Sequence, residues 1–165
     1  PYQFTHIAEA SAGIVVQNAL FVRSARYDRL VVPWTTYTTP EVAHVGLSER
    51  EAGENGIAVD VYRHEMSAVD RARLDGETRG FVKLIVKRGG TRLLGATIVS
   101  AHAGEMISQI VAAMQSGNGV DSLARVIHPY PTHSEAIKRA AAGYLRKKLT
   151  PRTKRFVKTW LKQRR

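Results

Sequence analysis

Val126-Ile127-His128-Pro129-Tyr130-Pro131-Thr132-His133-Ser134-Glu135 is the stretch from which the rest of the chain can be read. Pro129 and Pro131 hold their own φ near about −65° and push His128 and Tyr130 out of helical geometry, so the run is expected to be an extended, exposed elbow. A helix can begin only after it. Thr132 or Ser134 is the expected N-cap, and Glu135 stands three residues after Thr132, the spacing at which a carboxylate reaches back to the cap's amide. Ala136 to Leu145 then continues as helix, with Ile137, Ala140, Ala141, Tyr144 and Leu145 on one face. An ionisable ring, a turn and an acid at a helix start look like one corner of an active site.

Upstream, strands and helices alternate. The segment around Trp34 to Thr38 reads as a first strand, and Ser48-Glu49-Arg50-Glu51 as a capping box opening a short helix that stops near Asn55-Gly56. Val59 to Arg63 alternates like a half-buried strand, and Asp75-Gly76 marks a turn. Gly80 to Lys87 and Arg92 to Val99 flank Arg88-Gly89-Gly90-Thr91, a hairpin signal. His102 to Ser116 is the longest helical pattern, with Met106, Ile110, Ala113 and Met114 on one side and Gly117 as its stop. The expected fold class is α+β, a largely antiparallel sheet with helices packed on it.

Composition sets limits on function. At 165 residues and 44% hydrophobic the chain can bury one proper core. It has no cysteine, so it contains neither a redox-active disulfide nor a thiolate metal site. No apolar run is long enough to span a bilayer, and the start at Pro1 reads as part of a longer polypeptide. The charge is lopsided: residues 136–165 hold 12 of the 25 Lys and Arg, while all 14 Asp and Glu lie upstream with the other 13 cations. All of the net +11 is therefore local to the tail. There Pro151 could open a last helix pairing Phe156 with Trp160 and Val157 with Leu161. Such a tail suits an anionic membrane, an acidic surface or nucleic acid, or else packs back on the domain.

Other chemistries are weaker. His128, His133 and Glu135 lack a fourth ligand for a metal, so no metal site is expected. No serine sits in a Gly-x-Ser-x-Gly elbow, and Ser134 is more simply a cap. His6, His44, His64 and His102 are scattered, as surface or satisfied core histidines are. Met106 and Met114 fit core or interface filling.

His-Pro-Tyr-Pro-Thr-His-Ser-Glu resembles the carboxy-terminal signature of the pyridine nucleotide-disulfide oxidoreductases, the flavoenzymes that include dihydrolipoamide dehydrogenase, glutathione reductase and mercuric reductase. Pro33 to Glu49 resembles the opening of their interface domain, Gly80 to Leu84 and Leu94 to Val99 its central hairpin, and Ala103 to Ile107 its long helix. Tyr2 to Leu20 is similar to the family helix whose first turn points at the flavin.

The resemblance implies domains at 1–30 (a helix from the end of the FAD domain), 31–148 (the dimerisation domain) and 149–165 (a basic amphipathic tail). It implies FAD and NAD(P)H in the parent enzyme, none bound to the isolated chain, and no catalysis by that chain alone. The implied partners are a second copy in a homodimer and FAD and NAD(P) domains of the same polypeptide, in the cytoplasm, with the tail free to meet an anionic membrane surface. Thr5 and His6 are the implied flavin neighbours, by position rather than side chain.

In dithiol-handling members a catalytic histidine precedes Pro-Thr, with a glutamate five residues after it; here Tyr130 takes the histidine's place and Glu135 is kept. Tyr130, Glu135 and, as the nearest titratable ring, His133 are the implied catalytic residues, acting in the partner subunit's site. The mercuric-reductase-like branch carries a tyrosine in this region, but its members end in paired cysteines where this chain ends Trp160-Leu161-Lys162-Gln163-Arg164-Arg165, which argues against mercury. The alternative is a basic binding module contacting membrane or nucleic acid through the tail.

Overall fold

The computed structural model describes residues 3–149 together with Thr153, Arg155 and Trp160. Contacts divide the chain into two units, residues 1–32 and residues 33–165. In the first, helix α1 (Thr5–Leu20) buries only Ile7, and a 3-10 turn follows at Tyr27–Arg29. The Asn18 amide ties the turn back, donating to the Ala25 carbonyl at 2.9 Å and accepting from the Ala25 amide at 3.2 Å. At 16 residues α1 is longer than the helix over His102–Ser116, against expectation. Its less exposed residues, Ile7, Ala10, Ser11, Ile14 and Asn18, share one face, but exposed apolar residues such as Val15, Val16 and Leu20 lie off it, so the apolar periodicity understated the helix.

The second unit is built on five strands: β1 (Pro33–Thr36), β2 (Glu41–Gly46), β3 (Val59–Glu65), β4 (Phe81–Lys87) and β5 (Leu93–Ser100). They pair in the order β1-β2-β5-β4-β3, every pair antiparallel. Facing residues in an antiparallel pair share a side of the sheet. The registers therefore put Thr35, Ala43, Val45, Ile98, Ala96, Val82, Leu84, Tyr62 and His64 on one face. Six of these (Ala43, Val45, Ile98, Ala96, Val82 and Leu84) are completely buried. Helix α4 (Ala103–Gln115) meets this face at Thr35 and α6 (Glu135–Lys148) meets it at Tyr62, as the close approaches of Gly104 and Gly143 show. The opposite face carries His44, whose Nε2 donates to the Gly46 carbonyl while its Nδ1 accepts from the Thr97 hydroxyl, both at 2.9 Å. It is the satisfied histidine expected.

The α+β class and antiparallel sheet agree with the sequence reading, and so does the Ser48 cap. There the hydroxyl accepts from the Glu51 amide at 3.2 Å, and Glu51 accepts from the Ser48 amide at 2.8 Å, opening α2 (Glu49–Glu54). Three features differ. β1 ends at Thr36 rather than Thr38, and the turn at residues 37–40 feeds β2, which the sequence reading did not separate from its neighbour. Two short helices, α3 (Asp70–Leu74) and α5 (Val120–Leu123), went unread because one helical turn shows no periodicity.

The expected box at the start of α6 also does not form: Ser134 is the N-cap residue, sits in the α region and accepts nothing through its side chain. The Thr132 hydroxyl is taken by the Pro129 carbonyl at 2.9 Å, and Glu135 by Arg139. On α6, Ala136, Ile137, Ala140, Ala141 and Tyr144 are buried, whereas Leu145, expected on that face, lies 39% exposed at its edge. On α4, Met106, Ile110 and Ala113 are buried and Met114 is intermediate.

His64 faces α6 with its Nε2 buried and unpaired among the described residues. Burial, then the charges of Arg139 and Arg146, push its pKa below the ordinary value of 6.5. The folded chain thus keeps this ring neutral where the unfolded chain protonates it. Stability is expected whole above about pH 6.5 and declining as pH falls below it, a slope that His64→Asn should reduce. Urea midpoints at several pH values check this, and an unchanged slope in the variant would refute it.

Candidate functional site

The elbow crosses from α5 to α6 without regular structure. Ile127 is 89% and Tyr130 71% exposed, whereas His133 is buried. Two prolines deny this stretch a regular ladder, so side chains must hold it. Helix α3 supplies the hold. The Tyr130 hydroxyl donates to Asp70 Oδ2 at 3.0 Å, and His133 Nε2 donates to Asp75 Oδ2 at 2.9 Å. Asp70 opens α3 and Asp75 closes it, so one short helix grips the elbow at two points. Arg71 Nε donates to the same Asp75 oxygen at 2.7 Å. Arg71 foremost, and His133 after it, hold the Asp75 carboxyl below its usual range. A third tie comes from α4, where the Gln109 amide oxygen accepts from His128 Nε2 at 3.1 Å.

These ties set what each side chain can do. Asp70, by its hydrogen bond and then its charge, raises the Tyr130 pKa above 10, so the phenol stays neutral at physiological pH. Its proton points at Asp70 and its oxygen can still accept a hydrogen bond from outside. His133 has a carboxylate behind Nε2, the second-group arrangement that orients a basic imidazole. Yet its Nδ1 is buried without a partner among the described residues, and its ring packs edge-on against His102 at 4.8 Å. The ring therefore braces the elbow rather than facing solvent. Glu135, its side chain 15% exposed, pairs with Arg139 across one turn of α6. No hydrogen bond or ion pair among the described residues joins Tyr130, His133 and Glu135 to one another.

Sequence reading missed Asp70, Arg71, Asp75 and Gln109 as partners. Only a carboxylate at each end of the unread α3 signalled Asp70 and Asp75, and nothing local marked Arg71 or Gln109. Thr5 and His6 form the first turn of α1, exposed, with no side-chain cap from Phe4, on whose ring His6 stacks at 5.2 Å. Among the described residues no three His, Asp or Glu side chains come together as a metal would require. No helix among them is long and apolar enough to cross a membrane. Most of the basic tail lies outside the described residues, and so do Phe156, Val157 and Leu161 of its expected apolar pairs.

A family model described as the dimerisation domain of pyridine nucleotide-disulphide oxidoreductases matches residues 32–141. A mercuric reductase of Streptomyces lividans is 40% identical over 141 residues, covering 86% of this chain and 30% of that protein. A mitochondrial dihydrolipoyl dehydrogenase of Dictyostelium discoideum is 41% identical over 136 residues, 82% of this chain and 28% of that protein. Among solved structures, the HOCl-induced flavoprotein disulfide reductase RclA from Escherichia coli superposes with a TM-score of 0.80 at 30% identity, over 86% of this chain and 33% of that one. The chain thus spans about a third or less of the length of these relatives. The binding-module reading finds no support among them.

Proposed function

Because the chain belongs to the family of pyridine nucleotide-disulphide oxidoreductase dimerisation domains, we propose that it serves an FAD-dependent, NAD(P)H-linked oxidoreductase by pairing two subunits and presenting its elbow to the partner's active site. The observation that carries this reading is the elbow itself, solvent-facing at Ile127 and Tyr130 yet clamped from within by α3. A segment built only to close a loop would not need both. Residues 1–30 read as the end of the flavin domain, 31–148 as the dimerisation domain and 149–165 as an appended tail. The separation of contacts after Val32 supports the first boundary.

The residues present fit the flavin only in part. There is no Gly-x-Gly-x-x-Gly loop in the chain, so the dinucleotide must be held by other parts of the parent. The uncapped first turn of α1 is suited to an anionic ring edge, with Thr5 and His6 contributing backbone amides. When bound, FAD supplies the electron transfer from the nicotinamide to the oxidised substrate. On the substrate side Tyr130 offers one hydroxyl that Asp70 holds in place, a hydrogen-bonding group rather than a base. His133 and Glu135 act through position, by bracing the elbow and by anchoring the start of α6.

In the full-length reductase, Tyr130→Phe is expected to slow turnover of the oxidant substrate by about tenfold, the loss of one oriented hydrogen bond. Flavin reduction by NAD(P)H should be nearly unchanged, and Glu135→Gln should do less than Tyr130→Phe. Stopped-flow separation of the half-reactions checks it, and equal slowing of both, or of neither, removes Tyr130 from the substrate side. A rate whose pH dependence disappears in His133→Asn would move the acid–base role to that ring.

A further inference from the structure

Away from the elbow, a cleft of about 500 Å³ opens between the end of α6, β3 and the β4–β5 turn. Its floor is aromatic. Tyr62 and Tyr144 are 8% and 6% exposed, and their rings meet edge to face at 6.1 Å. Both line the cleft, and no hydrogen bond among the described residues occupies either hydroxyl. Neither hydroxyl is sealed from solvent, so both are open to donate to whatever enters the cleft.

The rim is cationic, with Arg88, Lys147 and Lys148. Among the described residues the one carboxylate lining it is Asp60, 12% exposed at its side chain, which accepts from Lys147 Nζ at 2.6 Å and from the Gly89 amide at 3.2 Å. Asp60 is therefore engaged within the wall, where it pairs with Lys147 and also feels the charge of Arg88. Arg88 and Lys148 remain without an ion-pair partner among the described residues, and Lys148 Nζ stands 4.5 Å above the Tyr144 ring. Among the described residues, what faces the space is two net positive charges and two phenolic donors over apolar ring.

We propose that this cleft is a binding site for a phosphomonoester dianion carried on a flat organic body. The charge matches, since a monoester near neutral pH carries close to the two negative charges that the rim leaves unbalanced. Donor chemistry matches as well: a guanidinium fork pairs two phosphate oxygens, and an ammonium and a tyrosine hydroxyl suit the third. Burial pushes the Tyr62 pKa up, so that hydroxyl is a donor at neutral pH. Phosphate alone would leave most of the cleft unfilled, and the tyrosine rings offer stacking surface for the body that bears it. The site lies outside the elbow and holds whether or not the elbow acts as proposed.

Phenyl phosphate is the probe, titrated into the full 165-residue chain at pH 7.5 and constant ionic strength, with amide shifts followed by NMR. Saturable shifts are expected at Arg88, Gly89 and Lys148. Arg88→Gln and Lys148→Gln should each weaken binding by about tenfold, as loss of a charge-assisted hydrogen bond does, with the fold verified by circular dichroism. Shifts that do not saturate, that sodium chloride reproduces, or that saturate with unchanged affinity in Arg88→Gln overturn the proposal. Vesicles of phosphatidate in phosphatidylcholine identify the source. Sedimentation with them that Arg88→Gln abolishes assigns the phosphate to a lipid headgroup, and no sedimentation beside saturable phenyl phosphate binding assigns it to a soluble ligand.

Discussion

Gly80→Ala is expected to destabilise the folded chain by more than about 3 kcal/mol, a large share of the roughly 5–15 kcal/mol that holds a domain of ordinary stability together. Gly80 holds φ +114°, a backbone conformation closed to L side chains, and a Cβ there would sit 2.0 Å from the Val99 carbonyl oxygen. Neither partner can yield. The Val99 oxygen belongs to the centre of the sheet, and the Gly80 carbonyl accepts from the Met66 amide at 3.0 Å, fixing the chain as it enters β4. Gly76→Ala is the internal control. It has φ +72° but nothing within 4 Å of a built Cβ, so only the backbone penalty of about 1 kcal/mol applies. Urea melts of both variants give the difference, and equal losses would mean that close approach at Gly80 costs nothing.

A second large effect is expected at Ile127. If the elbow meets a second copy, Ile127→Glu loses the burial of one large aliphatic side chain, about 2 kcal/mol, and adds a carboxylate to desolvate. Together these should weaken self-association at least 100-fold. Stability of the separated chain should hardly change, because Ile127 makes almost no use of its surface there. Sedimentation equilibrium on the wild type and the variant tests this. Identical association, or a wild-type chain that stays monomeric at high concentration, would put the shared surface elsewhere.

How much of this could be read beforehand depended on whether the signal was local. Ser48 and Glu51 are both free to bond each other's amides, so their spacing was sufficient. Thr132 and Glu135 have the same spacing, but Pro129 offers the threonine an acceptor and Arg139 offers the glutamate a cation, and these nearer partners win. The hairpin of β4 and β5 is contiguous and was legible, whereas β2 pairs with a strand some fifty residues on and shows in no short window. The elbow's exposure followed from its prolines. Its clamp did not, since Asp70 and Asp75 meet it only after the chain has folded through the whole sheet.

That clamp bears on how portable the signature is. Residues 126–135 grafted into another dimerisation domain of the family would arrive without Asp70 and Asp75. Tyr130 would then hold its proton with no acceptor to aim it, and the imidazole of His133 would sink into a new host with no carboxylate behind it. The transferable unit is the elbow plus α3, two segments some sixty residues apart in the chain. Exchange of the ten-residue motif by itself moves the letters and leaves the geometry behind.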